Sequence, residues 1–171
     1  MKIFIAGAKA IHTLSPEVKD RMMRIYCKGY DVLVGDCSGV DSSVQEFYSD
    51  LKYPNVVVYA SNGKARNNIG HWTVKNVAVP SGTHGFDFYK QKDIAMANDA
   101  NYGFMIWDGK SKGTLNNIIN LVAQHKKVLV YLSTSKSMLV INNVERLKAL
   151  IAGCEYHTQV LFQQLNASAL A

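Results

Sequence analysis

Two short segments concentrate glycines, hydroxyls and charges where an apolar run gives way to a helical pattern. They are Gly35-Asp36-Cys37-Ser38-Gly39-Val40-Asp41 and Trp107-Asp108-Gly109-Lys110-Ser111-Lys112-Gly113-Thr114. Glycines at a strand-to-helix turn let the backbone reverse sharply and approach a ligand, and the first free N–H groups of the helix, with its dipole, attract an anion. A phosphate suits such a turn. In the second segment the backbone amides, Ser111, Thr114 and a lysine can converge on one phosphate. In the first, Ser38 can donate to an oxyanion, whereas Asp36 and Asp41 would repel it. They either cap the next helix, at ~0.3–1 kcal/mol for a first-turn carboxylate, or accept from ribose hydroxyls.

Standard nucleotide motifs do not account for these turns. A Walker A loop needs glycine five residues before Gly109, where Phe104 stands,. Gly7, at the end of the first apolar run, is a further candidate ligand contact, yet Gly7-Ala8-Lys9 lacks the later glycines of a dinucleotide fingerprint,. ATP hydrolysis and hydride transfer therefore lose support. Lys92 and Asp93 either overlook the same crevice or form a solvated helix face. Arg66, with Asn67, Asn68 and His71, either lids the ligand and pairs with phosphate or belongs to a plain surface loop. Cys37 stands beside a helix start that can lower a thiol pKa, but no base accompanies it.

The turn Gly39-Val40-Asp41, the run Lys92-Asp93-Ile94-Ala95-Met96-Ala97-x-x-Ala100 and the stretch Phe104-Met105-Ile106-Trp107-Asp108-Gly109-Lys110-Ser111-Lys112-Gly113-Thr114 together resemble the SLOG superfamily. That group includes the Lonely-guy phosphoribohydrolases, the nucleotide-binding domain of DNA-processing protein A and many uncharacterised Rossmann-like proteins. The resemblance covers Lys2 to Leu132, and its Trp-Asp-Gly-x-Ser-x-Gly-Thr stretch is similar to the uncharacterised branch. It implies a parallel sheet, a nucleotide-type ligand over the two turns and self-association. In the hydrolase branch a catalytic Arg falls on Lys92 and a catalytic Glu on Asn117. Asparagine cannot serve as a carboxylate base, so hydrolysis by that route is not expected.

These residues need a scaffold, and the chain supplies the elements for one. Continuous apolar runs recur at Ile3–Ala6, Val32–Val34, Val56–Tyr59, Tyr102–Trp107 and Val128–Leu132, as in strands covered on both faces. Between them lie helical patterns: Ser15-Pro16 with Val18, Met22 and Ile25; Val40, Val44, Phe47, Tyr48 and Leu51; a weaker one over 86–100; and Leu115, Ile118, Ile119 and Val122,. Such alternation predicts an α/β fold, a Rossmann-like, doubly wound, mainly parallel five-stranded sheet with helices on both faces. Ser137–Ile141 and the pattern Val144/Leu147/Leu150/Ile151 add a C-terminal edge strand and helix. The segment 61–85 is long for a connection, and Trp72–Val77 within it reads as a short edge strand or a hairpin. We expect one nucleotide-binding domain over 1–153 and a helical tail over 154–171 that frays from Asn166.

Composition narrows the partner. The 171 residues carry a formal charge of +6, which favours an anionic partner or serves solubility. No apolar run approaches the roughly 20 residues of a membrane span, so no membrane partner is expected. Three cysteines without metal-ligand spacing fit reduced thiols in a cytoplasm and no metal. The expected partner is a phosphorylated small molecule bound by a homo-oligomer. No cofactor is certain, and a nucleotide or ADP-ribose-type ligand fits the turns. Three functions stay open: a nucleotide-binding sensor or carrier; an N-glycosidic nucleotide hydrolase or deoxyribosyltransferase-like enzyme using Asp93, Asp41 or Asp108; and single-stranded nucleic-acid binding. Against the last stands the lack of an aromatic-and-basic stripe in the sequence.

Overall fold

The computed structural model describes residues 1–169. In chain order the elements are β1 (Lys2–Gly7), α1 (Pro16–Cys27), β2 (Asp31–Val34), α2 (Val40–Asp50), β3 (Val56–Ser61), β4 (Thr73–Val77), α3 (Gly85–Asp99), β5 (Tyr102–Trp107), α4 (Lys112–Ala123), β6 (Val128–Leu132), β7 (Ser137–Ile141), α5 (Val144–Ala152) and α6 (Tyr156–Ala169). Local chemistry sets the boundaries. The Ser15 hydroxyl accepts from the Val18 N–H at 3.3 Å and Pro16 opens α1, which satisfies one helix-start donor and removes another.

All strands form one sheet in the order β4-β3-β2-β1-β5-β6-β7. β1 pairs in parallel with β2, Ile3 against Val32, and with β5, Ile5 against Phe104. From β1 the chain winds one way to β4 and then restarts on the other side with β5. The order thus reverses at β1, and the carboxyl ends of β1 and β5 flank the switch point where α/β sheets place ligands. Alternate β1 residues feed different cores. Ile3 and Ile5 belong to the core that also holds Val18, Met22, Val44 and Tyr48 of α1 and α2. Phe4 belongs to the core that also holds Met96, Leu115, Ile118, Leu147 and Leu161 of α3, α4, α5 and α6.

The strand count exceeds the expected five-stranded core. β4 pairs with β3 in parallel, Val57 against Thr73, so the segment near Trp72 is an edge strand and not a hairpin. A parallel pair needs a crossover, and here an irregular one over 62–72 replaces a helix. Side chains fix it: buried Gln45 donates to the carbonyls of Gly35 and Asn67, both at 3.0 Å, and accepts from the Ile69 N–H at 2.9 Å. Trp72 Nε1 donates to the Tyr53 carbonyl at 2.7 Å.

β7 runs antiparallel to β6 and leads into α5 and α6, which pack with α4. Leu161 and Phe162 of α6 join that core. The helix extends to Ala169, and the last residues of the tail, 170–171, lie outside the described residues. Because α5 and α6 sit on the α4 side, the α1 side of β6 and β7 receives no further helix. Cys27, Cys37 and Cys154 are free thiols. Among the described residues no helix is long and apolar enough to cross a membrane.

Candidate functional site

A crevice of about 580 Å³ opens at the switch point. Gly7, Ala8 and Lys9 form one rim, and Asp108, Lys110, Ser111, Gly113 and Thr114 of the second glycine turn form the other. Cys37, Asp41, Lys92, Asp93 and Asn117 lie in its floor, and Phe86 and Tyr89 of α3 make a wall. Gly7 is required there: a Cβ would stand 2.3 Å from the Ile106 carbonyl oxygen and 2.7 Å from Val40 Cγ2.

The second turn is built to leave its helix start open. Asp108 Oδ1 accepts from the N–H groups of Lys110, at 2.9 Å, and Ser111, at 2.8 Å, so this carboxylate shapes the turn. Gly109 supplies the left-handed backbone, φ +78°, and its carbonyl accepts the Thr158 hydroxyl at 2.6 Å. Ser111 caps α4, its Oγ accepting from the Thr114 N–H at 3.4 Å and lying 3.1 Å from Thr114 Oγ1. The N–H groups of Lys112 and Gly113, first in α4, have no protein acceptor among the described residues. A Cβ on Gly113 would meet nothing within 4 Å.

The first turn differs from the expectation of a second anion site. Gly39, at φ +77°, packs on the backbone of Lys9, 2.4 Å from a built Cβ to the Lys9 oxygen, and the Val40 N–H donates to the Ala8 carbonyl at 3.3 Å. The start of α2 is therefore occupied by the β1–α1 loop. Ser38 is exposed and outside the crevice lining. Asp36 accepts from Arg66 three times, from its N–H at 2.9 Å, Nε at 3.3 Å and Nη2 at 2.9 Å, so its carboxylate is engaged by protein rather than open to ribose. Arg66 is correspondingly pinned, not a free lid. Gly35 makes room for this cluster, since a Cβ would lie 2.6 Å from Asp41 Oδ2 and 2.9 Å from Lys92 Nζ.

Lys92 is not a solvated residue: it is 2% exposed. Its ammonium lies 3.5 Å from Asp93, 3.7 Å from Asp36 and 3.6 Å from the Cys37 sulfur. Burial alone would lower its pKa, but Asp93, Asp41, Cys37 and Asp36 outweigh that and raise it,. Burial pushes the Asp41 carboxyl up to about 6 against the pull of Lys92. Asp93 is also raised by burial, partly offset by Lys92 and by the Asn117 amide. For Asp36, hydrogen bonds from Arg66 and the charge of Lys92 overcome burial and hold the carboxyl low.

Sequence reasoning missed the aromatic wall. The Arg66 guanidinium lies 5.0 Å and the Lys9 ammonium 5.4 Å from the Tyr89 ring centre, and the Lys112 ammonium lies 4.1 Å from that of Phe86. The available signal was the weak apolar stripe of α3, whose polar and aromatic residues face the crevice. Among the described residues no group of His, Cys, Asp and Glu is arranged to hold a metal ion.

No family model matches the chain, and no curated protein matches it. Among solved structures, DNA processing protein A from Helicobacter pylori, described for its single-stranded DNA binding mode, is similar with a TM-score of 0.60 at 12% identity. The match covers 99% of this chain and 81% of that one. The fold is Rossmann-like. At this identity the likeness concerns the fold alone, and the resemblance to the SLOG group agrees with it at that level.

Proposed function

We propose that the crevice binds a nucleotide or a nucleotide-derived phosphorylated ligand, as a sensor or carrier. The observation that carries this reading is the start of α4. Two N–H groups without acceptors and the open face of Gly113 border a crevice of about 580 Å³, a size typical of small-molecule sites. Phosphate sits on these amides, with Lys110 beside it, where the helix dipole favours an anion. The sugar lies over Asp93 and Asn117, and the base stacks on Phe86 and Tyr89. The ligand of DNA processing protein A, single-stranded DNA, is itself a chain of nucleotides, which supports the same ligand class.

The test is isothermal titration with AMP and ADP-ribose, for wild type and Gly113→Val. The branched side chain blocks the two amides, and the loss of two hydrogen bonds to a charged acceptor weakens binding at least about 100-fold. Wild-type affinity in Gly113→Val, or no binding of either compound, would overturn the assignment.

One observation favours a second reading, cleavage of an N-glycosidic bond by water. Asp93 is the carboxylate in the crevice floor with a partly exposed side chain, 19%, and burial raises its pKa beside the Lys92 ammonium. Groups so perturbed often serve as acid or base. Chromatography of free base released from nucleotides checks it, with release abolished in Asp93→Asn. Binding without release leaves the sensor or carrier reading.

A further inference from the structure

At the opposite end of the sheet from the crevice, the fold assembles an aromatic and basic groove from residues scattered along the chain. It holds about 330 Å³ between α1 and the amino-terminal ends of β1, β5 and β6. Arg21 and Arg24 of α1 and Lys28 at its C-cap follow one another at i, i+3 and i+7, and Lys127 also lines the groove. Tyr30 and Tyr102 line the floor with aliphatic neighbours, and no acidic residue lines the groove. Arg24 pairs with Asp20 at 3.2 Å, but both side chains are more than half exposed, and such pairs hold weakly. The groove exists because β7 turns back and sends α5 and α6 to the α4 side. Val140, 46% exposed, marks the uncovered strand at its edge.

We propose that this groove binds single-stranded nucleic acid, independently of the crevice. Three cations spaced over about 10 Å of helix, at 1.5 Å per residue, match a line of phosphates better than one compact anion. Two tyrosines line the same groove, with the Lys28 ammonium 5.7 Å from the Tyr30 ring centre, and unpaired bases, which all have a π-face, can stack on such rings. An acidic peptide would satisfy the cations but has no use for the rings. A duplex would keep its bases stacked away from them.

Fluorescence anisotropy with a labelled 12-residue thymidine strand, its length-matched duplex and polyglutamate tests this. Four cations predict a slope of log affinity on log salt near −3, at about −0.7 per phosphate for single strands. Lys28→Ala with Lys127→Ala should halve that slope. Tyr30→Ala should weaken binding about tenfold at constant slope, the loss of one stacked base. Val140→Glu, at an exposed position, should weaken it without unfolding, with circular dichroism checking each variant. Absence of strand binding, or equal affinity for the duplex, overturns the proposal. Tighter binding of polyglutamate with no effect of Tyr30→Ala overturns it in favour of an acidic partner. Binding lost in Gly113→Val but kept in Val140→Glu overturns it by placing the strand in the crevice.

Discussion

The ammonium of Lys92 and the carboxylate of Asp36 face each other at 3.7 Å, each side chain only 3% exposed. Asp41 and Asp93 also act on the same cation, so one lysine compensates several carboxylates under the crevice. Lys92→Met leaves them buried without it. Breaking a buried pair typically costs about 3–5 kcal/mol. Calorimetry should show a large fall in Tm at pH 8 that narrows toward pH 5, below the Asp41 titration at about 6. A fall of equal size at both pH values would show that lost packing dominates.

Asp41 makes stability depend on pH in a defined direction. Its folded carboxyl titrates at about 6, above its ordinary 3.8, so between these values the folded protein binds the proton and the unfolded chain does not. The stabilisation is present below about pH 4 and is lost as pH rises through 6. At 1.36 kcal/mol per pKa unit the loss is about 3 kcal/mol. Urea unfolding at pH 4.5 and 7 should show about 2 kcal/mol of this for wild type and less for Asp41→Asn, whose amide oxygen can still accept from the Cys37 N–H. A slope identical in both proteins would assign the effect elsewhere in the cluster.

Two glycines that look alike in sequence should respond oppositely. Gly39→Ala forces a side chain into a left-handed backbone and against the Lys9 backbone, at a cost of at least about 2 kcal/mol from conformation and contact together. Gly113→Val meets open space and should shift stability by less than about 1 kcal/mol, since valine and glycine differ by less than that in helices. Chemical denaturation separates them, and comparable losses would show that Gly113 also packs.

Thr158, fully buried, ties α6 to the second glycine turn through the Gly109 carbonyl. Thr158→Val removes the donor and leaves that carbonyl unpaired, costing about 1–3 kcal/mol. If the crevice binds as proposed, AMP affinity in isothermal titration falls several-fold, because the turn loses its support. Lower stability with unchanged affinity would confine the contact to docking α6.

Much of the scaffold was legible because it is written in local and periodic signals. The Val-rich runs could only be buried strands, Ser15-Pro16 could only start a helix, and Val40, Val44 and Tyr48 mark one face of α2 that the core covers completely. The second glycine turn was readable for the same reason: Ser111, Gly113 and Thr114 act within one turn of α4. The first turn was misread because its partners are distant in sequence. Whether the start of α2 lies open depends on Ala8 and Lys9, whether Asp36 is free depends on Arg66, and whether Lys92 meets water depends on Asp36, Asp41 and Asp93. The aromatic-and-basic groove was invisible for that reason too, since Lys127 joins Arg21, Arg24 and Lys28 only once β6 lies two places from β1. Short-range chemistry sets the elements and the second glycine turn, whereas the winding of the sheet decides which charges are buried together and which are left exposed.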